Sequence, residues 1–218
     1  MPKVRVRQHV NPLSNKYQTP VSVPDWEKVY SQADRPLHLD IGCARGEFLL
    51  RMATLEPDWN FLGVEIREPL VEQAKVMVSE LGLSNLHYLF CNINKSLNPI
   101  LASFPRGIFQ RVTIQFPDPW FKKRQAKRRV VQPELVDTLA TYLIDGGMVF
   151  LQSDVEEVAV EMCARFQAHP AFQRQGTDWL ATNPLPVPTE RELHTQSLGE
   201  PVYRTVFYRR EESDSAVN

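Results

Sequence analysis

Cysteine is scarce in this sequence: three residues in 218, at positions 43, 91 and 163. They form no C-x-x-C motif and cannot all pair, so a disulfide framework is excluded and reduced thiols in a cytoplasmic setting are expected. Long apolar runs are missing as well. The longest stretch without Asp, Glu, Lys or Arg runs from Leu81 to Asn94, too short to cross a bilayer. The first residues, Met1 to Arg7, lack the apolar centre of a signal peptide, so no membrane partner is expected. Excess charge of one sign is also absent: 25 Lys and Arg stand against 26 Asp and Glu, for a net charge of -1 and a pI near 6.5. A uniformly basic nucleic-acid binder is thereby excluded. The histidines, at 9, 38, 87, 169 and 194, fall in no H-E-x-x-H or Cys/His cluster, and no metal is expected.

What remains is the composition of a globular protein, 43% hydrophobic and 23% charged, with enough chain for a core without staples. Residues 1–35 read as an N-terminal basic arm, carrying Lys3, Arg5, Arg7 and Lys16 among Pro12, Pro20 and Pro24, and only partly ordered. Residues 36–210 read as one α/β domain, and 211–218 as a polar tail. Within the domain, strands at Leu37–Gly42, Phe61–Glu65, Leu86–Cys91, Arg111–Phe116 and Met148–Gln152 alternate with helical patterns. A helix is expected over Ser96–Ser103, a strand over Phe172–Leu180 and a last, antiparallel strand over Val202–Tyr208. Strands alternating with helices predict a doubly wound, mostly parallel seven-stranded sheet with helices on both faces.

Four features carry chemistry. The first is Asp40-Ile41-Gly42-Cys43-Ala44-Arg45-Gly46, a strand-to-helix turn where glycine lets a ligand approach the backbone. Ala44 breaks the G-x-G-x-x-G dinucleotide pattern, and an acid at position 40 would repel a pyrophosphate. Glu65, at the end of the second strand, sits where a carboxylate accepts the hydroxyls of an adenosine ribose. Asn92, after the third strand, is placed to bond an adenine edge or simply to make a turn. The third feature is Phe116-Pro117-Asp118-Pro119-Trp120-Phe121, a proline-fixed loop after the fourth strand. The fourth follows at once: Lys122-Lys123-Arg124-Gln125-Ala126-Lys127-Arg128-Arg129, a basic run suited to phosphate or to a solvated face. Acids near the glycine turn suit S-adenosyl-L-methionine, which has an ammonium group and no phosphate.

The block from Phe116 to Arg129 closely resembles the tRNA (guanine-N7)-methyltransferase family, and Asp40-Ile41-Gly42, Phe61 to Arg67, Asn92, Ser153-Asp154 and Thr189-Glu190-Arg191-Glu192 agree in order. The resemblance spans about residues 36 to 208. It implies a Rossmann-like class I methyltransferase fold. It implies S-adenosyl-L-methionine held by Asp40, Glu65, Asn92 and Asp118; the glycine turn adds Gly42, and Asp118 is the candidate catalytic residue. It implies tRNA contacts from Lys122, Asp154, Thr189 and Glu192, to which the basic run adds Lys123, Arg124, Lys127 and Arg128. Ala44 stands where the family has glycine, Asn92 where many members have Asp, and Arg191 where an aromatic is usual. The expected target is guanosine 46 of the tRNA variable loop.

Guanine N7 carries a lone pair and no proton, so an in-line displacement needs no general base. Asp118 then either stabilises the developing cation or holds the guanine N1–H and amino group. Two other readings stay open: methylation of an exocyclic amine in RNA or DNA, and a non-catalytic RNA-binding module on the same fold. Monomer and homodimer are equally compatible with the sequence.

Overall fold

A computed structural model describes residues 10–211. The basic residues Lys3, Arg5 and Arg7 and the tail beyond Glu211 lie outside the described residues. The strands are β1 (Leu37–Ile41), β2 (Asn60–Glu65), β3 (Leu86–Phe90), β4 (Phe109–Gln115), β5 (Met148–Ser153), β6 (Phe172–Arg174) and β7 (Tyr203–Arg209). The helices are α1 (Trp26–Val29), α2 (Glu47–Leu55), α3 (Glu68–Leu81), α4 (Ile93–Ala102), α5 (Pro133–Tyr142), α6 (Glu156–Gln167) and α7 (Glu190–Ser197). The seven strands order as β3-β2-β1-β4-β5-β7-β6. Strands β1 to β5 run parallel, and β7 is antiparallel to both β5 and β6.

The period of two along each strand sends alternate side chains to opposite faces, and two cores result. Leu37, Leu39, Ile41, Val112, Ile114, Val149 and Leu151 pack under α4, α5 and α6. Phe61, Tyr88, Phe150 and Val206 pack under α2 and α3. Trp26 and Tyr30 join the first core. Trp26 stacks on Phe104 with centroids 4.2 Å apart, so the stretch just before the domain is anchored by aromatic burial.

Two elements depart from the sequence reading. The expected strand Phe172–Leu180 pairs only over Phe172–Arg174, because Gly176 takes φ +70° and turns the chain out of the ladder. The helix expected from Ser96 begins at Ile93, since the Asn92 side chain caps it by accepting from the Asn94 N–H at 3.2 Å.

After β3 the chain returns to the other side of β1 to form β4. That reversal opens a crevice beyond the carboxyl ends of β1 and β4, the usual ligand position in such sheets.

Candidate active site

The crevice has two compartments. The larger, about 770 Å³, is lined among others by Asp40, Gly42, Asp118, Phe121, Asp154 and Thr189. The smaller, about 120 Å³, includes Val10, Pro12, Glu65, Asn92, Asp118 and Trp120. Thus Asp40, Gly42, Glu65, Asn92, Asp118, Asp154 and Thr189 converge on one crevice from six segments of chain.

The glycine turn is shaped from beneath. The Tyr88 hydroxyl donates to the Gly46 carbonyl at 2.6 Å. A Cβ on Gly46 would lie 2.5 Å from that hydroxyl oxygen, and one on Gly63 2.4 Å from the ring. Ala44 takes φ +50°, so it makes the left-handed turn that glycine makes without strain.

Asp40 is buried at the end of β1, and burial pushes its carboxyl up to about 6. Thr113 Oγ1 donates to Asp40 Oδ1 at 2.6 Å and Gln115 Nε2 at 3.4 Å, which holds the shift in check. Both bonds fall on Oδ1, which leaves Oδ2 for a cationic ligand. His38 Nε2 lies 3.0 Å from Thr113 Oγ1. Because that hydroxyl already donates to Asp40, the ring nitrogen must be the donor. Burial holds the imidazole well below its ordinary pKa, hence neutral. His38 is therefore part of the scaffold.

Glu65 is buried at the end of β2. Its Oε1 accepts from the Arg67 backbone N–H and Nε at 3.0 and 2.9 Å. Its Oε2 accepts from the Ala44 N–H at 3.1 Å and Arg67 Nη2 at 2.9 Å. Arg67 also lies in the field of Asp118. This arginine links the two acids, and its place at the ribose position was not evident from sequence. Two buried carboxylates flanking a glycine turn fit S-adenosyl-L-methionine: Glu65 would hold the ribose once Arg67 moves aside, and Asp40 the ammonium end.

The loop carrying Asp118 is strained at both ends. Phe116 has φ +49° and Trp120 φ +44°, conformations that cost on the order of 1–3 kcal/mol each and concentrate at functional sites. Arg129 holds the loop by donating from Nε to the Pro119 carbonyl at 2.8 Å. Its guanidinium is buried and paired with Glu157 and Glu161. Arg128 lies over Trp120, 4.9 Å from the ring centroid. Lys122, Lys123, Arg124 and Lys127 are exposed, the last three on a 3-10 helix, Lys123–Arg128. Phe121 is exposed at 68% beside them.

On the far wall, Thr189 caps α7 by accepting from the Glu192 N–H at 3.1 Å. Asp154 pairs with Arg191, the residue that stands where an aromatic was expected. Glu47 and Glu190, at the starts of α2 and α7, share a hydrogen bond that, with partial burial, pushes Glu47 up to about 7. The structure does not bring Glu192 to the surface of the crevice. It is 1% exposed, with Oε1 accepting from Arg204 at 2.8 and 3.1 Å and Oε2 from Asn183 at 2.7 Å and Gln152 at 3.2 Å. Every lone pair that points at a donor is used inside the protein, so Glu192 supports α7 from below instead of reaching substrate.

Among the described residues no group of His, Cys, Asp and Glu could hold a metal ion, and no helix is long and apolar enough to cross a membrane. Cys43, Cys91 and Cys163 are free and buried. Burial raises the Cys43 thiol well above its ordinary pKa, which keeps it protonated and unreactive.

Comparison with solved structures places the fold among class I methyltransferases. A precorrin-6y C5,15-methyltransferase from Geobacter metallireducens matches with TM-score 0.54 at 12% identity, covering 84% of each chain. An S-adenosylmethionine-dependent O-methyltransferase from Thermotoga maritima matches with TM-score 0.52 at 15% identity, covering 92% of this chain and 70% of that one. A family model described as "Putative methyltransferase" matches residues 34–205. A tRNA (guanine-N(7)-)-methyltransferase of Trichormus variabilis is 68% identical over 96% of this chain and 98% of its own. One from Nostoc sp. is 67% identical over 96% of each. Fold, crevice and sequence agree: this chain belongs to the tRNA (guanine-N7)-methyltransferase family.

Proposed function

We propose that the protein methylates N7 of guanosine 46 in the variable loop of tRNA, using S-adenosyl-L-methionine. The observation that carries this reading is the placement of Asp118, on a strained, proline-fixed loop between the crevice and an exposed row of cations. The cofactor supplies a methyl group on a sulfonium, which the N7 lone pair displaces with no proton leaving the base.

The protein's part is alignment and charge. Well-oriented reactants reach effective molarities on the order of 10⁵–10⁸ M. Asp40, Gly42 and Glu65 hold the cofactor, and Asn92 borders its adenine end. Asp118 faces the guanine, where its negative charge offsets the cation that forms on the ring. Lys122, Lys123, Arg124 and Lys127 meet tRNA phosphates, giving affinity and register more than sequence choice. Arg128, drawn in over Trp120, steadies the loop and the phosphate rim together. Thr189 and Asp154 close the far wall against the target nucleotide. The 1–35 arm, the 36–210 catalytic domain and the 211–218 tail form the functional division of the chain.

The test is methyl transfer from labelled S-adenosylmethionine to an unmodified tRNA transcript, followed by N7-selective strand cleavage. Cleavage at guanosine 46 is expected. Label on an exocyclic amine, or at another guanosine, would overturn the assignment.

A further inference from the structure

Asn92 was expected to bond the adenine edge or simply to make a turn, and its amide nitrogen is committed to the chain near the N-terminus. Its Nδ2 donates to the Pro12 carbonyl at 3.0 Å and to the Tyr17 carbonyl at 3.1 Å. Its Oδ1 accepts from the Asn94 N–H. Two carbonyls on one side and an N–H on the other fix which end of the amide is nitrogen. Both amide hydrogens are therefore spent on chain about 80 residues away in sequence.

The segment so held lies over the smaller compartment, which Val10 and Pro12 line together with Glu65 and Asn92. It is shaped and docked at several points. Gln18 Nε2 donates to the Pro12 carbonyl at 2.8 Å and to the Ser14 carbonyl at 3.3 Å, folding the turn. Tyr17 meets the edge of Phe90, with centroids 6.3 Å apart. Val21 N–H donates to Ser96 Oγ at 3.1 Å.

We propose that Val10–Gln18 is a lid over the adenosine end of the cofactor crevice, and that Asn92 is the positioning residue that latches it. The inference rests on the S-adenosylmethionine reading of the crevice. The latch encloses the adenine against an apolar cover, while the remaining lone pair of Oδ1 can still accept from the adenine amino group.

Asn92→Asp separates the two roles. Aspartate keeps the helix cap and keeps an acceptor for adenine, but has no hydrogens for the two carbonyls. The experiment titrates the full-length protein with S-adenosylmethionine by calorimetry and follows amide exchange over residues 10–18. Asn92→Asp is expected to weaken cofactor binding about tenfold, the size of one to two lost hydrogen bonds, and to speed exchange in the lid. Gln18→Ala should act in the same direction, and the double variant should lose less than the product of the single losses. The KM for cofactor should rise by about the same factor as the dissociation constant, the signature of lost binding. Binding by Asn92→Asp as tight as wild type, or weaker binding with lid exchange unchanged, would overturn the latch while leaving the functional reading intact. Failure of the wild-type chain to bind S-adenosylmethionine would overturn both.

Discussion

The buried end of the crevice and its exposed basic rim are both rich in charge, and they use it in opposite ways. At the cofactor end Asp40 and Glu65 are buried, and their bonds are to Thr113, Gln115, Ala44 and Arg67. At the rim Lys122, Lys123, Arg124 and Lys127 stand in water. Charges paired inside the protein fix geometry for a small ligand. Charges left solvated gain their value only when a polyanion arrives and releases its counterions. The basic run itself divides this way: its first seven residues face outward or lie half-buried, and Arg129 turns in to Glu157 and Glu161 and holds the loop that carries Asp118.

The largest expected effect lies where the two regions meet. Asp118→Ala should lower kcat by a factor on the order of 10³, with cofactor binding reduced less and the thermal midpoint preserved. Substantial turnover by the folded variant would remove Asp118 from the chemistry. Next, Asp40→Asn tests whether the cofactor end trades stability for binding. Burial raises the Asp40 pKa to about 6 in the folded protein, against an ordinary value of 3.8. An acid raised this way costs stability as pH climbs from 3.8 to 6, and the whole penalty is present above 6. Asn removes it, so the free protein should gain ~3 kcal/mol at pH 7 while cofactor affinity collapses. In the wild type, cofactor affinity should fall as pH drops below 6. An affinity flat from about pH 7 to 5 would separate Asp40 from the ammonium group.

The rim comes third. Replacing Lys122, Lys123, Arg124 and Lys127 with Ala should weaken tRNA binding and reduce the slope of log affinity against log salt by about 3, leaving cofactor affinity alone. Arg129→Ala should instead lower the thermal midpoint and kcat with little change in slope. Equal slopes in the two variants would erase the distinction between solvated and inward-turned cations. The smallest effect is expected at the glycine turn. Ala44→Gly relieves a left-handed alanine worth about 1 kcal/mol but loosens the unfolded chain, so a gain below about 1 kcal/mol is expected by denaturant unfolding.

Much of the fold was legible because its signals are local. Apolar periodicity marked β1 to β5 and the helices between them, and α3 ends at Gly82, which takes φ +62°. The strand expected to run from Phe172 to Leu180 was shortened by a glycine turn whose handedness no periodicity encodes. The start of α4 moved because Asn92 acts as its cap. The placement of Asp40, Gly42, Glu65 and Asp118 on the crevice was legible, all at strand ends or turns with recognisable residue types. The burial of Glu192 was not, since its motif places it beside Glu190 and Arg191, whereas the helix period turns it inward with Thr195, away from those two exposed neighbours.

The sequence by itself determined the class of fold, the position of the crevice and the residues at its edges, because each depends on a run of neighbours. Only the tertiary structure decided which polar residues line the crevice and which are buried in the scaffold. Strand register sets Asp40 opposite Thr113, Gln115 opposite Gln152 and Gln152 opposite Arg204. On one face of the sheet this builds a hydrogen-bonded line from His38 through Asp40 to Glu192 and Arg204. Its members are scattered over more than 160 residues of chain. Buried polar groups must find partners or cost the full desolvation penalty, and those partners exist only once strands from distant segments lie side by side.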